Sequence, residues 1–243
     1  MKRNQNNFKY RLQYYGVMRI SDNIILIPSG GNCYLIERKE ECVLIDTGMS
    51  PKASGIIKAI NSNFPYKPLA AIIITHTHQD HMAGTKSLKQ LYDPLVIAHK
   101  EEAPFIENRK ELPRLDGFNG FMIKMFEKML GKPSAKVDKK VEDDEIVYGL
   151  KVLHLPGHTP GTIALFDVEN HALFCGDIIN ADKKGKRILP PKEGYAINYK
   201  EALKSSIKML EVISPSVILP GHGSPISEPD AAIKAYLDEY NKV

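Results

Sequence analysis

The feature that most restricts what this chain can become is one short stretch: Leu69-Ala70-Ala71-Ile72-Ile73-Ile74-Thr75, followed at once by His76-Thr77-His78-Gln79-Asp80-His81. An unbroken apolar run of strand length belongs to a strand covered on both faces, which calls for layers above and below its sheet. The polar cluster falls where that strand must end, and side chains leaving a strand end together can point at one spot. His76 and His78 are two residues apart, so on extended backbone they share a face. Asp80 and His81 come after the chain turns into a helix and approach from the other side. The spacing suits one metal held by His76 and His78 and a second held by Asp80 and His81. Imidazole with carboxylate is a common ligand set for zinc, and also for iron or manganese.

The other histidines extend this pattern. Of eight in the chain, two more stand in glycine-framed turns: His158 in Pro156-Gly157-His158-Thr159-Pro160-Gly161, and His222 in Pro220-Gly221-His222-Gly223. Each turn follows an apolar run ending in Leu-Pro, and glycine there lets backbone approach closely and aim a side chain. Asp177 closes the run Leu173-Phe174-Cys175-Gly176-Asp177 in the same way. His99, His154 and His171 lack such a frame and read as structural or surface residues.

Strands are expected over residues 23–27, 33–37, 42–46, 69–75, 95–98, 151–155, 162–166, 171–175 and 217–219, and a turn over 28–32. Helices are expected over 51–63, with Ser50 as N-cap and Pro51 in the first position, and over 82–92, 199–212 and 229–241. Residues 101–137 read as helical and then loop-like. Runs of strands with interleaved helices favour sheets sandwiched between helix layers over a single doubly wound sheet. No linker-like stretch divides the chain, so residues 1–243 read as one domain with a helical insertion at about 100–140.

Composition narrows the partners. Lys and Arg number 33 against 29 Asp and Glu, a net charge of +4. That excess permits an anionic substrate but forms no basic stripe. The run Lys183-Lys184-Gly185-Lys186-Arg187 and the N-terminal Met1-Lys2-Arg3 are short solvated segments, so no nucleic-acid partner is expected. No apolar run approaches the ~20 residues of a membrane span, and the basic N-terminus has no apolar core of a secretory signal. The cytoplasm is the expected compartment. Cys33, Cys42 and Cys175 each sit in an apolar run and are expected to be buried free thiols.

Taken in order, Asp46-Thr47-Gly48, His76-x-His78-x-Asp80-His81, His158, Asp177 and His222 resemble the metallo-β-lactamase-fold hydrolases over about residues 20 to 225. The branch is that of glyoxalase II-like thioesterases and acyl-homoserine lactonases. The resemblance implies an α/β fold, an αβ/βα four-layer sandwich of two mixed β-sheets flanked by helices. It implies a dinuclear site along one sheet edge, with two Zn2+, or iron or manganese in their place. His76, His78 and His158 would hold the first ion, Asp80, His81 and His222 the second, and Asp177 would bridge them. Asp46 would brace the metal-binding loop from behind. The implied activity is metal-dependent hydrolysis, in which a bridging hydroxide attacks the carbonyl of a thioester, lactone or ester while Asp80 orients it and carries a proton. No Gly-x-Ser-x-Gly nucleophile motif occurs in the chain.

The substrate is less constrained. Asp at the bridging position is the choice of the thioesterases and lactonases, whereas Cys there marks the main class of β-lactamases. Asn180 stands where lactonases usually carry a tyrosine, and Tyr195 and Tyr199 lie near enough in sequence to substitute. The C-terminal helical domain of full-length glyoxalase II has no counterpart in the twenty or so residues after His222. Alternatives on this scaffold are a mononuclear iron persulfide dioxygenase, a β-lactamase and a phosphodiesterase. In the insertion, Phe118, Phe121, Met122, Met125, Phe126, Met129 and Leu130 recur at spacings of three and four, an apolar helical stripe. It reads as core packing, as a homodimer contact, or as a lid lining an acyl-chain pocket for a small-molecule substrate.

Overall fold

Strands from two parts of the chain assemble into two sheets because their alternate side chains find cover on both faces. The computed structural model describes residues 11–12, 16–113, 120, 125 and 133–240. The first sheet runs in chain order through β1 (Arg11–Leu12), β2 (Met18–Arg19), β3 (Ile24–Ser29), β4 (Gly31–Glu37), β5 (Cys42–Ile45), β6 (Leu69–Ile73), β7 (Leu95–His99) and β8 (Lys139–Val141). It is an antiparallel meander as far as β5 and parallel from β5 to β8. The second contains β9 (Ile146–Val147), β10 (Leu150–His154), β11 (Ile163–Asp167), β12 (Ala172–Gly176) and, after a small ribbon of β13 (Asn180–Ala181) and β14 (Ile188–Leu189), β15 (Val217–Pro220). Its spatial order is β15-β12-β11-β10-β9, with only β12 and β15 parallel.

Helices α1 (Ser54–Asn63), α2 (Gln79–Met82), α3 (Thr85–Tyr92) and α4 (Ala103–Ile106) cover the outer face of the first sheet, and α5 (Tyr199–Val212) and α6 (Pro229–Tyr240) the outer face of the second. The period-2 alternation of β6 shows how one strand serves two cores. Ile72 and Ile74 pack toward the helices with Ile56, Ile60 and Leu88. Ala71 and Ile73 pack between the sheets with Ile45, Val152 and Phe174. On the far side Leu173, Cys175 and Ile218 meet Leu203, Met209 and Tyr236. The result is the four-layer αβ/βα sandwich of two mixed sheets. All three cysteines are buried and free, as expected, and burial pushes the Cys42 thiol up to about 11. Among the described residues no helix is long and apolar enough to cross a membrane.

Several local expectations need correction. The first helix starts at Ser54, preceded by Ala53 at φ 48, so Ser50 is not its cap and Pro51 lies in a turn before it. The helix expected over 82–92 is two helices that begin earlier, at Gln79, and break at Gly84. A Cβ on Gly84 would sit 2.7 Å from the Thr47 carbonyl oxygen, so the break lets the elbow press onto the loop after β5. The expected turn over 28–32 is mostly strand: β3 and β4 pair up to Ser29 and Gly31, leaving only Gly30 (φ 94) to reverse the chain. Asp46 has left the strand, at φ 58. Phe118, Phe121 and Met122, with most of the insertion's stripe, lie outside the described residues. Met125 is described and is 42% exposed.

Candidate metal centre

Thr75 and His76 follow the end of β6, His78 precedes α2 at φ −69 and ψ 148, and Asp80 and His81 occupy that helix. The two-residue spacing does bring the first two rings together. His76 Nε2 and His78 Nδ1 lie 3.1 Å apart, and His158 Nε2, from the turn after β10, lies 3.2 Å from the first and 3.0 Å from the second. Three nitrogens in a triangle of this size match the donor spacing a tetrahedral ion would need, since donors at 2.0–2.1 Å from such an ion are about 3.3 Å apart.

A second group is made by Asp80, His81 and His222, a third by His76, His81 and Asp177; within each, the donor atoms lie within 4.8 Å of one another. His222 Nε2 is 3.0 Å from Asp80 Oδ2. Asp177 stands between the groups. Its Oδ1 is 3.4 Å from His81 Nε2, and its Oδ2 is 3.4 Å from His222 Nε2 and 3.8 Å from His158 Nε2. His76, His81 and His158 are fully buried, while Asp80 and His222 are about a quarter exposed, so the cluster opens to solvent on their side.

Hydrogen bonds behind the cluster fix which ring nitrogens face it. Asp46 Oδ1 accepts from Thr75 N–H at 2.8 Å, and its Oδ2 accepts from Thr75 Oγ1 at 2.7 Å and from His81 Nδ1 at 2.8 Å. The Thr75 hydroxyl, having given its proton to Asp46, accepts from His76 Nδ1 at 3.1 Å. Both imidazoles therefore turn Nε2 inward, and one carboxylate orients the two. The His222 turn is tied to the first sheet. Asn32 N–H donates to Gly221 O, the Asn32 amide to Pro220 O and Gly223 O, and the Tyr34 hydroxyl to Pro220 O.

The electrostatics suit a cation. Burial, reinforced by neighbouring imidazoles, holds His76 well below the usual histidine range, and burial with His78 brings His158 down to about 3, so both are neutral donors. Burial would raise the Asp177 carboxyl, but His81 outweighs it and keeps it well below the carboxylate range. At His81 burial opposes charge, yet Asp177 and Asp46 prevail and push it well up. The carboxylates thus hold a proton where a metal ion would displace it. His81 Nε2 and Asp177 Oδ1 face each other at 3.4 Å without a well-formed hydrogen bond to any described residue, a loose buried pairing that a bound cation would satisfy better. The donor set fits a bound metal.

A sequence profile of the metallo-beta-lactamase superfamily matches residues 26–222. The chain belongs to that superfamily. A probable metallo-hydrolase of Bacillus subtilis, YflN, is 29% identical over 215 residues, covering 81% of each chain. The hydroxyacylglutathione hydrolase GloC of Haemophilus influenzae is 27% identical over 217 residues, 83% of this chain and 91% of the relative. The crystal structure of TTHA1623 in a di-iron-bound form superposes with a TM-score of 0.62 at 26% identity, covering 86% of this chain and 93% of that one. The protein is a metal-dependent hydrolase of the metallo-β-lactamase superfamily.

Other residues of this superfamily member stand differently. Asn180 is buried, donates weakly to Pro190 O at 3.4 Å, and has an unpartnered Oδ1. Tyr195 is exposed with Lys192 Nζ 5.8 Å above its ring, and Tyr199 packs against the core beneath α5. The chain between them runs beside the His158 turn, where Ile197 N–H donates to His158 O and Asn198 N–H to Gly157 O. Glu102, wholly buried, carries no signal in the sequence, where it reads as one more acid after Lys100-Glu101. Burial pushes its carboxyl up to about 7 against the pull of hydrogen bonds from Thr159, Gly161 and Thr77. His99 and His154 lie outside the cluster and stack on each other, centroids 3.8 Å apart and 18° from parallel.

Proposed function

We propose that the chain is a dinuclear hydrolase of carboxylic ester-like bonds, a thioester, lactone or ester of a small molecule. The observation that carries this reading is Asp177, one carboxylate reaching histidines of both donor groups. In this reading His76, His78 and His158 hold one ion, Asp80, His81 and His222 the other, and Asp177 is shared. Zinc is the proposed metal; the di-iron form of the TTHA1623 structure makes iron the alternative to test. Two divalent cations there supply a Lewis acid and a water acidified into the neutral range.

The chain's own groups do the rest. Asp80, partly exposed beside His222 at 3.0 Å, stands on the open side, where it orients the attacking water and passes its proton to the departing group. The buried wall of His76, His81 and His158 excludes bulk water behind the reacting carbonyl. A carboxylate rather than a thiolate between the groups is what the resemblance associates with thioesterases and lactonases rather than with the main class of β-lactamases. The relative named hydroxyacylglutathione hydrolase supports the same choice, since an acylglutathione is a thioester.

The test is metal analysis together with a substrate panel of thioesters, lactones, aryl esters, a β-lactam and bis(p-nitrophenyl) phosphate. Two equivalents of metal per chain, loss of hydrolysis on chelation and preference for the acyl substrates are expected. Full activity with a single equivalent overturns the dinuclear mechanism, and a preference for the phosphodiester overturns the substrate class.

A further inference from the structure

The three donors of the first group come from different sheets. His76 and His78 follow β6 of the first sheet, and His158 follows β10 of the second. Their nitrogens nevertheless meet within 3.0–3.2 Å, so something must hold the two loops in register. Glu102, at the start of α4, lies between them. Its Oε1 accepts from the backbone N–H of Thr77, the residue between His76 and His78, at 2.7 Å. Its Oε2 accepts from the backbone N–H of Gly161, in the His158 turn, at 2.8 Å. The contact is close enough to require glycine at 161, where a Cβ would stand 2.4 Å from the Glu102 nitrogen.

We infer that Glu102 is a positioning residue: its two carboxylate oxygens clamp the Thr77 and Gly161 amides and thereby set the His76–His78–His158 triangle. It is buried and touches no donor atom of the cluster in any hydrogen bond it makes. Each N–H donor favours the ionised form of the carboxylate, and the planar group gives both loops one rigid reference. The second group has anchors that do not involve Glu102: Asp46 behind His81, which also reaches His76 through Thr75, and Asn32 behind the His222 turn. Glu102 therefore acts on one metal position and not on the other.

The inference rests on the dinuclear reading, and one experiment separates the two. Metal-free protein is titrated with Zn2+ against a chromophoric chelator, and the two binding steps are assigned with His78→Ala and His222→Ala. Glu102→Gln keeps the shape but turns an amide NH2 toward one of the two N–H donors. Glu102→Asp keeps the charge but is one methylene too short to span both loops. Both variants should weaken the His78-dependent step by about 10–100-fold, the range seen when a group behind a metal ligand is lost, and leave the His222-dependent step within about threefold. A role in folding alone would instead lower the melting temperature of the metal-free protein and move both steps together, and that outcome overturns the inference. So does an unchanged His78-dependent step in whichever of the two variants folds. A wild type that takes up one equivalent rejects the dinuclear reading. Glu102 is then judged on that step: weakening of a His78-dependent equivalent upholds the clamp, and any other result rejects it.

Discussion

Gly221 offers a direct way to disturb the centre with a single methyl group. A Cβ built there lies 2.4 Å from Asp177 Oδ1, 2.8 Å from His81 Cε1 and 2.9 Å from the Gly176 carbonyl carbon, whereas ordinary contact begins at 3.4 Å. Its φ is not positive, so alanine brings bulk without backbone strain. The His81 ring cannot yield, because Asp46 holds its Nδ1 at 2.8 Å. Gly176 cannot yield either, because its carbonyl accepts from Gly221 N–H at 2.7 Å. The Asp177 carboxylate must therefore retreat by about 1 Å, and a misplacement of that size costs about 10²-fold in turnover. The overpacking itself costs about 1–3 kcal/mol. Gly221→Ala should thus melt a few degrees low, lose about 10²-fold in kcat/KM and retain less metal after dialysis. Gly55→Ala is the control: nothing stands within 4 Å of a Cβ there, and in α1 the change should add about 0.5–1 kcal/mol of stability with hydrolysis intact. Wild-type turnover and metal content in Gly221→Ala would refute the placement of Asp177 in the centre.

Three further outcomes are expected. Asp46→Asn puts an NH2 group where the carboxylate accepts from Thr75 and His81; chelator competition should show metal held about 10–100-fold more weakly, and equal affinity would remove Asp46 from its orienting role. Asp80→Asn should lower kcat by about 10²-fold or more while the melting temperature stays within a few degrees, and near-normal turnover would exclude Asp80 as proton carrier. Burial and the stacked His154 bring His99 down to about 4, below the ~6.5 of an unfolded histidine. The native state thus binds fewer protons between these values, and this contribution to stability, complete above pH 6.5, is lost as pH falls toward 4. His99→Phe keeps the stack and should flatten that part of the stability–pH curve; an unchanged slope would show that His99 is not its source.

What was legible in the sequence, and what was not, follows from how far apart the cooperating groups lie along the chain. Strands such as Cys42–Ile45, Leu69–Ile73 and Val217–Pro220 announce themselves because burial on both faces makes every position apolar. His76, His78, Asp80 and His81 are legible because a strand end and a helix start gather them within six residues. The element boundaries that depart from the sequence pattern are set by contacts with distant backbone. The start of α1 is delayed by Ala53 in a left-handed conformation, and the break at Gly84 reflects the nearby Thr47 carbonyl. Glu102 is the extreme case, since its partners are the amides of Thr77 and Gly161, 25 and 59 residues away. A backbone N–H has no side-chain identity to betray it, so a carboxylate that serves two of them looks in sequence like any surface acid. Gly161 is the trace such a clamp leaves, a glycine demanded by close approach, and it sits in a turn whose glycines the aiming of His158 already explains. The groups that hold the candidate donors in place are therefore harder to read from sequence than the donors themselves, although the spacing of the donor nitrogens depends on them.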